Sequence, residues 1–393
     1  MKREIPLSVP FLNMDIVENL SDCIKSGWVS TGGRFIGEFE EKISHYVKMD
    51  EAVSMQSGTA GLHIALKVLG VKPGDEVIVP TLTFIAAVNP ISYLGAYPVF
   101  MDCNEYFCID VDKLEQFLRD ECSLANGVLI NKTSGRRVAA ILPVHVFGNL
   151  CEMERIMCLA DKYNLKVLED ATEALGSYYS SGKYAGKFAG TIGDMGVYSF
   201  NANKIITTGG GGMIVSCSKA NLAHARYLGV QAKNDTLYFV HDEIGYNYRM
   251  LNLQAALGVS QIDQLEHFIQ TKSENFKLYN DLLNDVPGLK MLEYSDGRVN
   301  HWFYSLLINK EEFGCSRNAL MHKLIDRGIQ CRPVWKLIHT QKPYMECQAY
   351  EISNAVRLEE NVLNIPCSSN LTKEDVCYVV DMIIDIKNQN HIK

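Results

Sequence analysis

The chain has 393 residues, 47% hydrophobic and 21% charged, with 46 acidic against 38 basic side chains and a formal charge of -8. That length exceeds what one hydrophobic core usually fills, so two packed bodies are expected, and an acidic balance without a long basic run gives nucleic-acid binding no electrostatic support. No run reaches the roughly 18 apolar residues of a membrane span, no apolar signal core follows Met1, and twelve cysteines are scattered without metal-knuckle spacing, so no membrane, no metal and a reducing cytoplasm are expected.

Pro6 to Phe11 reads as an extended arm. Ile16, Leu20, Cys23 and Ile24 then recur at helical spacing over Asp15–Ser26, stopped by Gly27. The loop Gly27-Trp28-Val29-Ser30-Thr31-Gly32-Gly33 carries hydroxyls and one large ring, suited either to packing of Trp28 or to a substrate contact. Phe35, Phe39 and Ile43 resume a helical stripe. Ser57-Gly58-Thr59 precedes the apolar run Ala60 to Leu66, a buried helix in the making. Free N–H groups at such a helix start, beside hydroxyls, suit a phosphate, although plain capping accounts for the same letters.

Val77 to Val79, Thr81 to Val88 and Tyr97 to Asp102 read as strand, helix, strand. Ala139 to Val144 and Lys166 to Asp170 continue the pattern, with Met153 to Tyr163 as the helix between them. Apolar strands alternating with helices predict an α/β fold with a mainly parallel sheet, its ligand crevice beyond the strand ends. Asp170 stands at such an end, where its carboxylate either opposes a cationic ring nitrogen or caps the segment Ala171 to Gly176.

Val197 to Phe200 is a further strand, followed by Asn201-Ala202-Asn203-Lys204 and the four glycines Gly209 to Gly212. A lysine enclosed there loses its proton on desolvation and becomes a nucleophile able to form a Schiff base; the alternative is a surface lysine before a flexible turn. After a helix over Leu222 to Gly229, Gly245 to Asn252 leads into one long helix through Ile262, Leu265 and Phe268. The body boundary is expected along it, dividing residues 1–265 from 266–393. The second part reads as an α+β body with a strand over Trp302–Ile308 and helices over Arg317–Arg327 and Leu371–Ile386. Its loops around Arg332 and His339 reach toward the crevice.

One ligand uses a phosphate site at Ser57-Gly58-Thr59 and Ser199, an aromatic face at Phe84, a carboxylate at Asp170 and an amine at Lys204: pyridoxal 5′-phosphate. A nicotinamide enzyme needs a Gly-x-Gly-x-x-Gly turn, and a Walker A loop needs its lysine after the glycines; neither is present. A non-enzymatic binding protein has no reason to unite Asp170, Ser199 and Lys204.

Eight motifs in order, Gly27-Trp28-Val29-Ser30-Thr31-Gly32, Ser57-Gly58-Thr59-Ala60, Pro80-Thr81-Leu82-Thr83-Phe84, Pro143-Val144-His145-Val146-Phe147-Gly148, Glu169-Asp170-Ala171, Ser199 to Lys204, Gly245 to Met250 and Arg332-Pro333-Val334-Trp335, span nearly the whole chain. The sequence resembles the sugar aminotransferases of the DegT/DnrJ/EryC1/StrS family. The resemblance implies the aspartate aminotransferase fold (PLP fold type I), with Lys204 as the Schiff-base lysine, Asp170 on the ring nitrogen, Phe84 stacked on the ring, and Gly58, Thr59 and Ser199 on the phosphate. It implies a homodimer with shared active sites, in which Asn247 and Arg249 are lent to the partner's cofactor and substrate. Trp28, Ser30, Thr31, His145, Arg332 and His339 are the other substrate candidates, His145 and Arg332 having structural alternatives as a satisfied buried residue and a bridge between bodies. Many members carry His or Gln where this chain has Glu173; facing the cofactor, that carboxylate needs a proton or a cation, unless it turns away. The run Asp170 to Ser177 is similar to the subgroup serving legionaminic-type nonulosonic acid pathways. The implied reaction moves the amine of L-glutamate to C4 of a UDP- or GDP-linked N-acetylated 4-keto-6-deoxy sugar, with a 3-keto substrate as the alternative.

Overall fold

The computed structural model describes residues 3–235 and 237–391. Helix α1, Asp15–Ser26, stops where Gly27 takes φ 75°, an angle that costs glycine little, and returns its N–H to the Ile24 carbonyl. Its apolar stripe is narrower than the sequence suggests, since Ile16 and Cys23 are buried but Ile24 is exposed. Helix α2, Arg34–Tyr46, buries Phe35, Phe39 and Ile43. Helix α3, Gly58–Val68, is capped by the Ser57 hydroxyl, which accepts from the Ala60 N–H at 3.0 Å. Nearly every side of α3 is covered, as an all-apolar helix requires.

The main sheet has eight strands in the order Ala52–Met55, Gly212–Val215, Met195–Ser199, Lys166–Asp170, Val138–Ile141, Glu76–Pro80, Tyr97–Met101 and Ala349–Tyr350. The first two pairings are antiparallel and the rest parallel. Its central strands are buried on both faces, which explains their unbroken apolar runs. A smaller antiparallel sheet, Leu289–Met291, Tyr304–Ile308, Val362–Ile365 and Arg332–Pro333, packs under helices that include Leu265–Leu283, Arg317–Asp326 and Lys373–His391. No helix among the described residues is long and apolar enough to cross a membrane.

Two expected elements differ. Thr81–Val88 is not a helix: the Thr81 N–H still donates to the Met101 carbonyl at 2.9 Å, and only a short turn over Ile85–Ala87 and a helix over Asn89–Tyr93 follow. The long helix is two, Asn252–Ile262 and Leu265–Leu283, because the Gln264 N–H bonds back three residues to Gln261, tightening the turn. We propose the boundary between the two bodies at this break. The chain crosses it elsewhere as well: Ile5 pairs with Ile329, and Ala349–Tyr350 returns to the main sheet beside Tyr97–Met101.

Candidate active site

Asp170 and Ser199 end neighbouring parallel strands, and Ser57-Gly58-Thr59 opens α3 at the same edge of the sheet. All of them line one crevice of about 750 Å³, together with Phe84, Glu173, Lys204, Trp302 and Trp335. A β-carbon at Gly58 would lie 2.9 Å from Ser199 Cβ and 3.1 Å from Thr172 Cγ2, so only bare backbone brings the first turn of α3 this close.

Lys204 points into this crevice. Its Nζ lies 3.5 Å from Glu173 Oε1 and 3.9 Å from the Trp302 ring centroid, and its side chain is 12% exposed. Trp302 is held in place by its Nε1–H, which donates to the Asn203 carbonyl at 2.7 Å. Burial pushes the Lys204 amine below its ordinary pKa, against the attraction of Glu173 and Asp170. The same burial raises Glu173 to about 7, opposed by Lys204 and by the Phe147 N–H, which donates to Oε2 at 2.8 Å. Glu173 thus faces the lysine. Asp170 is also raised by burial, while hydrogen bonds from Thr172 and the charge of Lys204 pull it back. Phe84 stands 51% exposed on the crevice wall, its ring 6.0 Å from that of Trp335.

The DegT/DnrJ/EryC1/StrS aminotransferase family matches residues 10–384. The chain belongs to this family. Among its relatives, GDP-perosamine synthase of Escherichia coli O157:H7 is 38% identical over 96% of this chain and 97% of its own. UDP-4-amino-4-deoxy-L-arabinose–oxoglutarate aminotransferase of Shewanella sediminis is 31% identical over 97% and 98%. In fold, the chain matches Spr1654 of Streptococcus pneumoniae in its PLP form with TM-score 0.86 at 24% identity, covering 99% of this chain and 100% of that one. Family members are pyridoxal-phosphate-dependent sugar aminotransferases with the fold type I architecture seen here.

The donor set fits that cofactor. A helix start with hydroxyls suits its phosphate, a desolvated amine its aldehyde, and a buried carboxylate its ring nitrogen. Other residues expected at the site lie apart from it. His145 is fully buried: its Nε2 meets Glu169 Oε2 at 3.0 Å and its Nδ1 accepts from the Cys151 N–H at 3.2 Å, which corrects the expectation of a substrate contact. The reason is strand alternation, since Glu169 and Asp170 project to opposite faces and His145 follows Glu169. His339, likewise expected on substrate, does not line the crevice; its Nδ1 is 2.6 Å from the Thr81 hydroxyl. Trp28, Ser30, Thr31, Asn247 and Arg249 do not line the crevice of their own chain either, Arg249 bordering a separate small void beside Glu40 and Arg226. Arg332 does line it.

Several lining residues went unassigned from the sequence: Leu7, Trp302, Arg317, Lys336 and Glu359. Only Trp302 carried a signal, being a tryptophan that opens an apolar strand with no partner evident in the sequence. Trp335 stood in a motif without a role.

Proposed function

We propose that the chain moves the amino group of L-glutamate to C4 of a nucleotide-linked N-acetylated 4-keto-6-deoxy sugar, leaving 2-oxoglutarate. The observation that carries the reaction is the buried Lys204 amine, set against Glu173 and the face of Trp302 inside a crevice with a phosphate cradle. The acceptor reading is supported by a relative whose name records a 4-amino sugar and oxoglutarate, and the UDP and GDP of the two relatives make the nucleotide a matter for direct assay.

Bound pyridoxal phosphate supplies a carbonyl that carries the amino group and a ring that takes up electron density. The chain does the rest. Gly58, Thr59 and Ser199 would hold the phosphate, Asp170 would keep a proton on the ring nitrogen, and Phe84 would cover the ring. Lys204 Nζ would anchor the group and, once released, would move a proton, with burial favouring the uncharged form of the amine. Glu173 stores a proton beside it, near neutrality, without adding a fixed negative charge.

A homodimer completes the site in this reading. Asn247 and Arg249 lie outside their own crevice, and Val17 and Ile24 of α1 and the segment Leu237 to Phe239 expose apolar side chains, as a partner-facing surface would. The cytoplasm is the compartment in which twelve free thiols persist.

Lys204→Ala and Lys204→Arg proteins are expected to fold, yet to show no visible absorbance with pyridoxal phosphate and no mass adduct after borohydride reduction. Survival of either signal at wild-type strength in these variants would falsify the lysine assignment. A panel of UDP- and GDP-linked 4-keto-6-deoxy sugars, with and without the N-acetyl group, is incubated with glutamate and read by mass and proton spectra. A C4 amine on the N-acetylated substrates is expected; amination at C3, or none on any 4-keto sugar, removes the substrate proposal.

A further inference from the structure

Asn300 lies on the approach to the smaller sheet, ahead of its strand Tyr304–Ile308, and is fully buried. Its amide is fully employed. Nδ2 donates to the Glu173 carbonyl at 2.8 Å and to the Leu175 carbonyl at 2.9 Å, while Oδ1 accepts from the Trp302 N–H at 3.0 Å. Only this orientation satisfies all three, because the reversed amide would set its oxygen against two carbonyls. The Asn300 N–H in turn donates to Ser177 Oγ at 3.0 Å, and that hydroxyl donates to the Gly148 carbonyl at 2.7 Å. Gly148 is part of the fit: at φ 92° a β-carbon there would collide with Asn300 Oδ1.

The two segments that Asn300 joins carry the neighbours of Lys204. Glu173 holds its carboxylate 3.5 Å from Nζ, steadied by the Phe147 N–H, and Trp302 holds its ring 3.9 Å away, steadied by the Asn203 carbonyl. The Trp302 N–H also approaches the Phe147 carbonyl at 3.2 Å, so both walls are laced together. Asn300 itself does not line the crevice. We propose that Asn300 is a positioning residue that holds Glu173 and Trp302 against the Lys204 amine, keeping that amine enclosed and aimed whenever it is not bonded to the cofactor. This rests on the reading of Lys204 given above. The charged groups facing the amine are Glu173 and Asp170, and Trp302 supplies only a ring face. Without Asn300 the Glu173 turn and the Trp302 ring are free to part, which admits water to Nζ. Burial is the main cause of the lowered amine pKa, so water raises it back toward 10.5.

The test compares wild type with Asn300→Ala, with Asn300→Ser, which keeps one hydroxyl, and with Ser177→Ala, which removes a member of the same network that bonds neither Glu173 nor Trp302 through its side chain. Cofactor-stripped proteins are treated with acetic anhydride over a pH series, and acetylation at position 204 is read by peptide mass. The midpoint of that reactivity should move upward in Asn300→Ala and by less in Asn300→Ser. Ser177→Ala should lower the urea midpoint of unfolding and leave the profile where it was. In the holoenzyme, the maximal rate of bleaching by glutamate should fall about tenfold in Asn300→Ala, with the half-saturating glutamate concentration unchanged. A folded Asn300→Ala protein with the wild-type midpoint overturns the proposal, and so does an equal shift in Ser177→Ala, which would mark general loosening. If Asn300→Ala does not fold, Asn300→Ser decides by the same measure. If wild type is not bleached by glutamate while the midpoints move as expected, the positioning role stands and the aminotransferase reading falls.

Discussion

Lys204 and Glu173 are two ionisable groups placed where neither charge is well solvated, and the consequence is a measurable dependence on pH. Glu173 has its folded pKa raised from 4.5 to about 7, so its contribution to stability is complete below 4.5 and is lost as pH rises to about 7. Lys204 is lowered from 10.5, so its contribution is complete above 10.5 and is lost as pH falls toward its folded value. In cofactor-free protein, Glu173→Gln should remove most of the stability lost between pH 5 and 7, measured as urea midpoints at the two values. An unchanged gap would mean that other carboxylates set it. That Asp170 and Gly58 line the crevice was legible in the sequence because one ends a strand and the other opens a helix, and Lys204 follows in the turn after the strand that ends at Ser199. Trp302 was not, because its place over Lys204 depends on how two distant segments pack.

At the scale of elements, α2 illustrates a helix start that its own segment does not cap. Gly33 has no side chain to offer, and the first turn is satisfied by Asn252, whose Oδ1 accepts from the Phe35 N–H at 3.1 Å. The same amide donates to the Trp28 carbonyl at 2.7 Å, tying the Trp28 loop to the helix Asn252–Ile262. Asn252→Ala is expected to cost roughly 1–2 kcal/mol, as loss of a buried cap does, and to speed proteolysis between residues 28 and 33. A stability change with no gain in cleavage would mean that the loop is held by other contacts. Strand Lys166–Asp170 was legible to the residue, since its apolar run and the preceding helix leave no competing pattern. Thr81–Val88 was misread because its apolar composition fits a helix as well as a packed turn, and the strand bond at Thr81 is invisible to periodicity.

For the whole molecule, the proposed homodimer predicts complementation. Lys204→Ala and Arg249→Met subunits, each inactive alone, should recover about a quarter of wild-type activity when refolded in equal amounts, because half of random pairs then hold one intact site of two. No recovery, with dimers present, would mean that Arg249 serves its own chain. A second sheet was foreshadowed by the change in strand pattern beyond residue 287, but the joinery of the two proposed bodies was not. One apolar cluster runs through both, from Val53 and Ile64 to Leu363 and Val379. The arm is fixed as well: the Cys367 N–H donates to the Leu7 carbonyl at 2.7 Å, and Leu7 reaches the crevice.

The short strand Ala349–Tyr350, laid against the edge of the main sheet by a segment that otherwise belongs to the smaller body, makes the frame around the ligand a closed loop of chain. Any spreading of the two sheets must first undo the pairing of Ala349 with Phe100 and of Tyr350 with Met101.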